Sequence, residues 1–274
     1  MRKNKVFFIL TMVAICLLVV GLVISGIGIA MQVNRIKNTE PIEISEMKLE
    51  TVNKMDISLD FGIIEILKGE EFKIEMRNFE KDTIVYDVKD NLLTIKENRA
   101  SKWFDFNLGF MWNKYRPTLI VYVTDENIFQ NVKINVAAGS IDAKNITTES
   151  LEIMCDAGSI EGTSLMAEKA VISNNAGNID LKNVDFNGLS ATCDFGAIKI
   201  TGNLTGQIDV TNAVGEIKLE IDGYKGDYYV NAKGSIGSIR VDNESYDEKY
   251  FDRNASNTIK LENDIGEIRV VFRK

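Results

Sequence analysis

The stretch CDAGSIEG, residues 155–162, is echoed at a constant spacing by NNAGNIDL at 174–181 and CDFGAIKI at 193–200. Aligned on its glycines, the chain gives Gly139, Gly158, Gly177, Gly196 and Gly215, an unbroken step of nineteen residues, and Gly237 and Gly266 continue the series after insertions. Gly62, in DFGIIEI, reads as an early outlier of the same pattern. Two residues after each of these eight glycines stands an isoleucine: Ile64, Ile141, Ile160, Ile179, Ile198, Ile217, Ile239 and Ile268. A fixed short period of this kind marks a solenoid, in which each coil buries its apolar side only against its neighbours.

The repeat unit can be read physically from LEIMCDAGSIEGTSLMAEK, which starts at Leu151. Leu151 and Ile153 alternate as one strand face, Ile160 opens a second, and Leu165 is a third apolar point, so the coil has three short inward-facing sides. The neighbouring units repeat this with Ile134, Ile141 and Ile146, and with Ile172, Ile179 and Val184. Glycine serves the bend, where a side chain would obstruct the turn. Asp60, Asp156, Asn175, Asp194 and Asp264, each two residues before a glycine, are of the types that stabilise turns through their own backbone. Stacking at ~4.8 Å per coil turns each repeat position into a column. The chain is therefore expected to be all-β, a β-solenoid with ~19-residue coils.

Ahead of this body lies a different segment. MRKNK carries Arg2, Lys3 and Lys5, and residues 6–31 contain no charge. At ~1.5 Å rise per residue such a run crosses a hydrocarbon core of about 30 Å with some tilt. Residues 1–31 therefore predict a basic cytoplasmic tail and one transmembrane helix, with the body exported. A cleaved signal peptide is the competing reading, with Gly28-Ile29-Ala30 as a small-x-small site. The apolar run is far longer than the 7 to 15 residues usual for a signal, which favours an uncleaved anchor. Residues 32–43 form a polar connector. The ectodomain is expected to span 44–274, with N-terminal strands over 44–117, an aromatic loop at 101–117 and the regular array over 118–274. In the N-terminal part, IVYDV and LLTI flank Asp90-Asn91, a hairpin signal. Within the apolar segment, the spacing of Gly21 to Ser25 and of Gly26 to Ala30 suits helix pairing.

The net charge is −8, and −11 once Arg2, Lys3 and Lys5 are set aside. So acidic a body is a poor nucleic-acid binder, because phosphate contacts need clustered Lys and Arg. It also disfavours direct attraction to anionic lipid or wall polymer.

The apolar LIVYV strand followed by successive glycine-x-isoleucine units behind one N-terminal apolar segment resembles the putative-adhesin, LiaG-like β-strand-repeat family, the domain of unknown function 4097. The resemblance covers roughly residues 50–274. It implies a β-helix-like solenoid in membrane-anchored or exported bacterial proteins, often linked to cell-envelope stress systems. It supplies no catalytic residues.

The absence of histidine removes Ser-His-Asp and Cys-His pairs and every His-containing zinc site. Cys155 and Cys193 share a column two coils apart, with Asn174 between, too distant for a disulfide at ~9.6 Å. They read as free, turn-flanking thiols. Asp156 and Asp194 share the next column, roughly 9 to 10 Å apart, near the upper limit for paired carboxylates of inverting glycosidases. Turn chemistry already accounts for them. Calcium binding by the same column lacks the nonapeptide pattern of calcium solenoids. The expectation is thus no catalytic residue, no metal site and no cofactor.

The column after the isoleucine runs Asp142, Glu161, Asp180, Lys199, Lys218, Arg240, Arg269, acidic giving way to basic, and suits a solvated face or a side-by-side or end-to-end contact. The nonrepetitive SKWFDFNLGFMWNKYRP, 101–117, supplies candidate partner-binding residues Trp103, Phe104, Phe106, Phe110, Trp112 and Tyr115, since aromatics are enriched in interface cores. A flap capping the solenoid end is its bland alternative.

Together these readings predict a non-enzymatic interaction scaffold, single-pass in a bacterial membrane with its solenoid outside, contacting an envelope or membrane protein in envelope sensing or stress response. A role as an adhesin or cell-wall glycan-binding module is the alternative, and a polysaccharide-acting enzyme using Asp156 and Asp194 is the third reading.

Overall fold

The structure is a computed structural model and describes residues 42–44, 52–79, 83–97, 116–242, 244–246 and 255–273. The apolar segment 6–31 and nearly all of the aromatic stretch 101–117 lie outside the described residues.

Eight long strands carry the glycine-x-isoleucine units: β2 (Lys54–Lys68), β7 (Ile128–Lys144), β8 (Thr147–Thr163), β9 (Met166–Phe186), β10 (Leu189–Leu204), β11 (Gln207–Asp222), β12 (Tyr228–Val241) and β14 (Asn257–Arg273). Each bends at its glycine, so one strand supplies two sides of a coil. Neighbours in the stack pair in parallel, in the order β2-β7-β8-β9-β10-β11-β14-β12.

Two departures from the sequence reading stand out in that order. Gly62 is no outlier: β2 lies directly beside β7, with Gly62 paired to Gly139, and the segment between them loops out and returns. At the other end the coils do not follow the chain. Strand β14 is inserted between β11 and β12, so Gly266 stacks next to Gly215 and Gly237 belongs to the outermost long coil. The ladder therefore runs Gly62, 139, 158, 177, 196, 215, 266, 237.

The core is the isoleucine column. Ile64, Ile141, Ile160, Ile179, Ile198, Ile217, Ile268 and Ile239 are all buried, together with Leu151, Ile153 and Leu165 of one coil and their equivalents in the next. Each such side chain removes roughly 1.5–3 kcal/mol worth of apolar surface from water. The third corner of the early coils is made by Asn145, Ser164 and Asn183, all with left-handed φ between 54° and 56°.

At the β2 end the stack is closed by shorter strands: β1 (Ile42–Ile44), β3 (Lys73–Arg77), β4 (Ile84–Lys89), β5 (Leu92–Glu97) and β6 (Thr118–Val123). Strand β5 pairs in parallel with the first side of β2 and β6 with its second, making a split coil beneath it. Strands β3 and β1 extend this layer antiparallel, and β4 folds back on β5 through Asp90 and Asn91. A short β13 (Glu244–Tyr246) pairs with the end of β12.

Candidate functional site

The glycine corner is the feature that recurs from coil to coil. Gly177 has φ +141°, which side chains rarely adopt, and a Cβ built there would overlap the carbonyl oxygen of Gly158 in the coil below. The same overlap with the preceding glycine recurs at Gly139, Gly158, Gly196, Gly215, Gly266 and Gly237. Each carbonyl thus fills the space that the next residue leaves by lacking a side chain.

That carbonyl is also bound from inside. Asn174, buried, donates from Nδ2 to Gly158 O at 3.0 Å and to Asn178 O at 3.2 Å. Asn212 and Asn263 repeat the contact, to Gly196 O and Gly215 O, each at 2.9 Å. The buried cysteines occupy the same column and do the same work more weakly: Cys155 Sγ donates to Gly139 O at 3.9 Å and Cys193 Sγ to Gly177 O at 3.5 Å. Both are free thiols, as their spacing implies. Burial pushes the Cys155 thiol up to about 11 and raises that of Cys193, so neither is a poised nucleophile.

Asp156 and Asp194 are exposed at corners two coils apart, with Asn175 on the coil between them. Asn175 donates to Asp156 Oδ1 at 3.2 Å, a contact that braces the turn column. Among the described residues no three His, Cys, Asp or Glu side chains cluster so as to hold a metal ion.

The residue immediately before each glycine forms a column that the sequence reading did not single out. In stacking order it runs Phe61, Ala138, Ala157, Ala176, Phe195, Val214, Ile265, Ile236. The last four are exposed, Phe195 at 63%, Val214 at 37%, Ile265 at 46% and Ile236 at 65%. Four large apolar side chains on consecutive coils make a ridge along one edge of the molecule. The signal was present in the sequence as the letter preceding each glycine; the corrected coil order only exchanges Ile265 and Ile236 at the end of the ridge.

The column three residues past the glycine changes with that order too. It runs Glu65, Asp142, Glu161, Asp180 and then Lys199, Lys218, Arg269, Arg240. The acid-to-base progression read from the sequence becomes four acids followed by four bases. Their ion pairs come from flanking columns: Lys144 to Asp142 at 2.6 Å, Lys182 to Asp180 at 2.9 Å, Glu216 to Lys199 at 3.5 Å, Glu220 to Lys218 at 2.6 Å and Glu267 to Arg240 at 3.4 Å. The hydrogen bond from Lys218 holds the Glu220 carboxyl below its ordinary value.

Trp103, Phe104, Phe106, Phe110, Trp112 and Tyr115 lie outside the described residues. The stretch that contains them leaves and rejoins the fold at the same corner: Glu97 accepts hydrogen bonds from the backbone N–H of Asp60 and Phe61, and Pro117 O accepts from Ile63 N–H.

A parallel stack of glycine-cornered coils with a buried isoleucine spine defines the chain as a β-solenoid of the open-edged, sheet-like kind. A family model described as Toastrack DUF4097 matches residues 52–271, and the chain belongs to that family. Among solved structures it is similar to a putative adhesin from Bacteroides fragilis, at 16% identity over 85% of this chain and 98% of that one, with a TM-score of 0.44. It is similar also to a putative cell adhesion protein from Clostridium sporogenes, at 17% identity over 85% and 100% of the two chains, with a TM-score of 0.35. No curated protein matches it.

Proposed function

We propose that this protein is a non-enzymatic interaction scaffold, anchored in a bacterial membrane through residues 6–31, whose rigid solenoid presents a contact surface outside the cell in envelope sensing or stress response. The observation that carries the reading is the exposed ridge of Phe195, Val214, Ile265 and Ile236. Contiguous apolar surface of this kind, set among polar columns, marks a site of macromolecular contact. It sits on a backbone whose corners are fixed by glycine packing, so little ordering cost is left to be met on binding. The aromatic residues Trp103, Phe104, Phe106, Phe110, Trp112 and Tyr115 are the second candidate contact, since aromatics are enriched in interface cores. Asp156, Cys155 and Cys193, by contrast, are engaged in turn and corner hydrogen bonds.

Crosslinking in intact cells followed by mass spectrometry tests this reading. The native chain is compared with a ridge variant carrying Ser at Phe195, Ile265 and Ile236, and with a loop variant carrying Ser at Trp103, Phe106, Phe110 and Trp112. Loss of specific crosslinks in either variant, with the β-sheet circular dichroism signal intact, is the expected result. Unchanged crosslinks in both would sink it. Retention on wall polysaccharide that depends on Trp103 and Trp112 would replace it by the glycan-binding reading, and turnover of wall glycan abolished by Asp156→Asn by the enzymatic one.

A further inference from the structure

The outer charged column has an internal symmetry that a single molecule does not use. Numbering the coils one to eight from the β2 end, coils one to four carry Glu65, Asp142, Glu161 and Asp180, and coils five to eight carry Lys199, Lys218, Arg269 and Arg240. A twofold axis lying in the plane of this face, parallel to the strands and between coils four and five, reverses the coil order while keeping position along the strand. It sets Glu65 opposite Arg240, Asp142 opposite Arg269, Glu161 opposite Lys218 and Asp180 opposite Lys199. All four pairings, each occurring twice, are of opposite sign.

The same operation treats the corner column equally well. Ridge residues fall opposite small ones: Phe195 against Ala176, Val214 against Ala157 and Ile265 against Ala138, while Ile236 meets Phe61. Large opposite small across two faces is how packed layers interdigitate. From the residue before the glycine to the fifth residue after it, eight coils present a face of about 34 Å by about 20 Å, close to the ~800 Å² per partner of a standard interface.

We infer that the occupant of this face is a second copy of the same chain, packed antiparallel as an isologous dimer. The inference rests on reading the ridge as a contact surface, and names what covers it. Apolar contact along the ridge supplies affinity, while the charge column sets register and excludes the parallel arrangement, in which like charges would face each other. The intrachain ion pairs at Asp142, Asp180, Lys199, Lys218 and Arg240 lie along the sheet surface and leave these charges partly exposed.

The test uses the full chain in detergent micelles, with mass measured by light scattering. The native chain is expected to be dimeric at micromolar concentration. Lys218→Glu sets two acids opposite each other at two places and should raise the dissociation constant by roughly tenfold or more. Adding Glu161→Lys to the same chain restores opposite signs and should restore the dimer. Pairing through the membrane segment alone would leave Lys218→Glu fully dimeric, which overturns the inference.

Orientation is read with a bis-maleimide of about 10 Å reach, the separation of packed sheets, after the third cysteine of the chain, Cys16 within the apolar segment 6–31, is replaced (Cys16→Ser); Cys155 and Cys193 are buried. Glu65→Cys with Arg240→Cys should give a crosslinked dimer, because within one chain these positions are seven coils, or about 34 Å, apart. Either substitution alone should not. Efficient crosslinking of the single variants means a parallel pair and overturns the antiparallel one. A monomeric native chain that still loses cellular crosslinks on ridge substitution would end the dimer inference and leave the scaffold reading standing.

Discussion

At the scale of the residue, the corner depends on two side-chain decisions. Glycine is required because φ is positive and because the space where Cβ would sit is taken by the carbonyl of the coil below. Gly177→Ala should therefore cost at least about 3 kcal/mol, measurable as a drop in the urea midpoint or as failure to fold. The residue three before it is more permissive. Asn174 donates twice, yet its own Oδ1 is buried and finds no donor among the described residues. A buried orphan of that kind costs about 1–3 kcal/mol. Cysteine at the same place binds its carbonyl weakly and leaves no such acceptor, so the two balance. Cys155→Asn should change stability at pH 7 by less than about 1 kcal/mol. The thiol has its own pH signature. Its folded value of about 11 lies above the ordinary 9.0, so the folded state holds the proton longer than the unfolded chain. Stability should fall as pH rises from 9 towards 11, and Cys155→Asn should flatten that slope in equilibrium unfolding measured across this window. The glycine and isoleucine columns were legible because each position has one physical solution. The Asn and Cys alternation was read as turn composition, since the carbonyl they share belongs to another coil.

At the scale of the element, legibility followed the range of the interaction. Asp90 and Asn91 predicted a hairpin, and both take left-handed backbone angles, φ 51° and 62°, between antiparallel β4 and β5. Both positions of such a two-residue turn favour Gly or Asn. Asn91→Gly should hold or slightly raise the melting temperature, whereas Asn91→Val, β-branched at a positive φ, should lower it, with a cost of about 1–2 kcal/mol. What periodicity did not reveal was which coil neighbours which. Every coil carries the same glycine and isoleucine at the same offset, so any two match in register, and the pattern contains nothing that distinguishes β14 from β12 as the neighbour of β11. Gly62 read as an outlier for the same reason: strand pairing is indifferent to the length of chain between partners, and the β3 to β6 excursion simply separates two adjacent rungs.

At the scale of the whole molecule, β14 is held on both sides, by β11 from Gln207 to Asp222 and by β12 from Tyr228 to Val241. Although last in the order of strands, it is an interior strand and not a fraying edge. Its amides at Ile259, Leu261 and Ile268 should exchange with deuterium as slowly as those of Ile198 and Ile200 in β10; rapid exchange would contradict the inserted arrangement. Charge and apolar surface are likewise properties of the stack: the four-and-four column needs the Gly62 coil to stand beside that of Gly139, while the exchange of β14 and β12 swaps Arg for Arg and Ile for Ile and leaves column and ridge intact. The insertion of β14 also bears on synthesis. A ribosome delivers β12 while the edge of β11 stands open, and β12 carries a glycine and an isoleucine able to dock there in a plausible but wrong register. Reaching the native stack requires that edge to stay vacant, or that premature docking be undone, until a strand translated later slides in between. A scaffold whose finished form is rigid is thereby committed to a moment of choice during its birth, and chaperone dependence of its maturation would be the natural consequence.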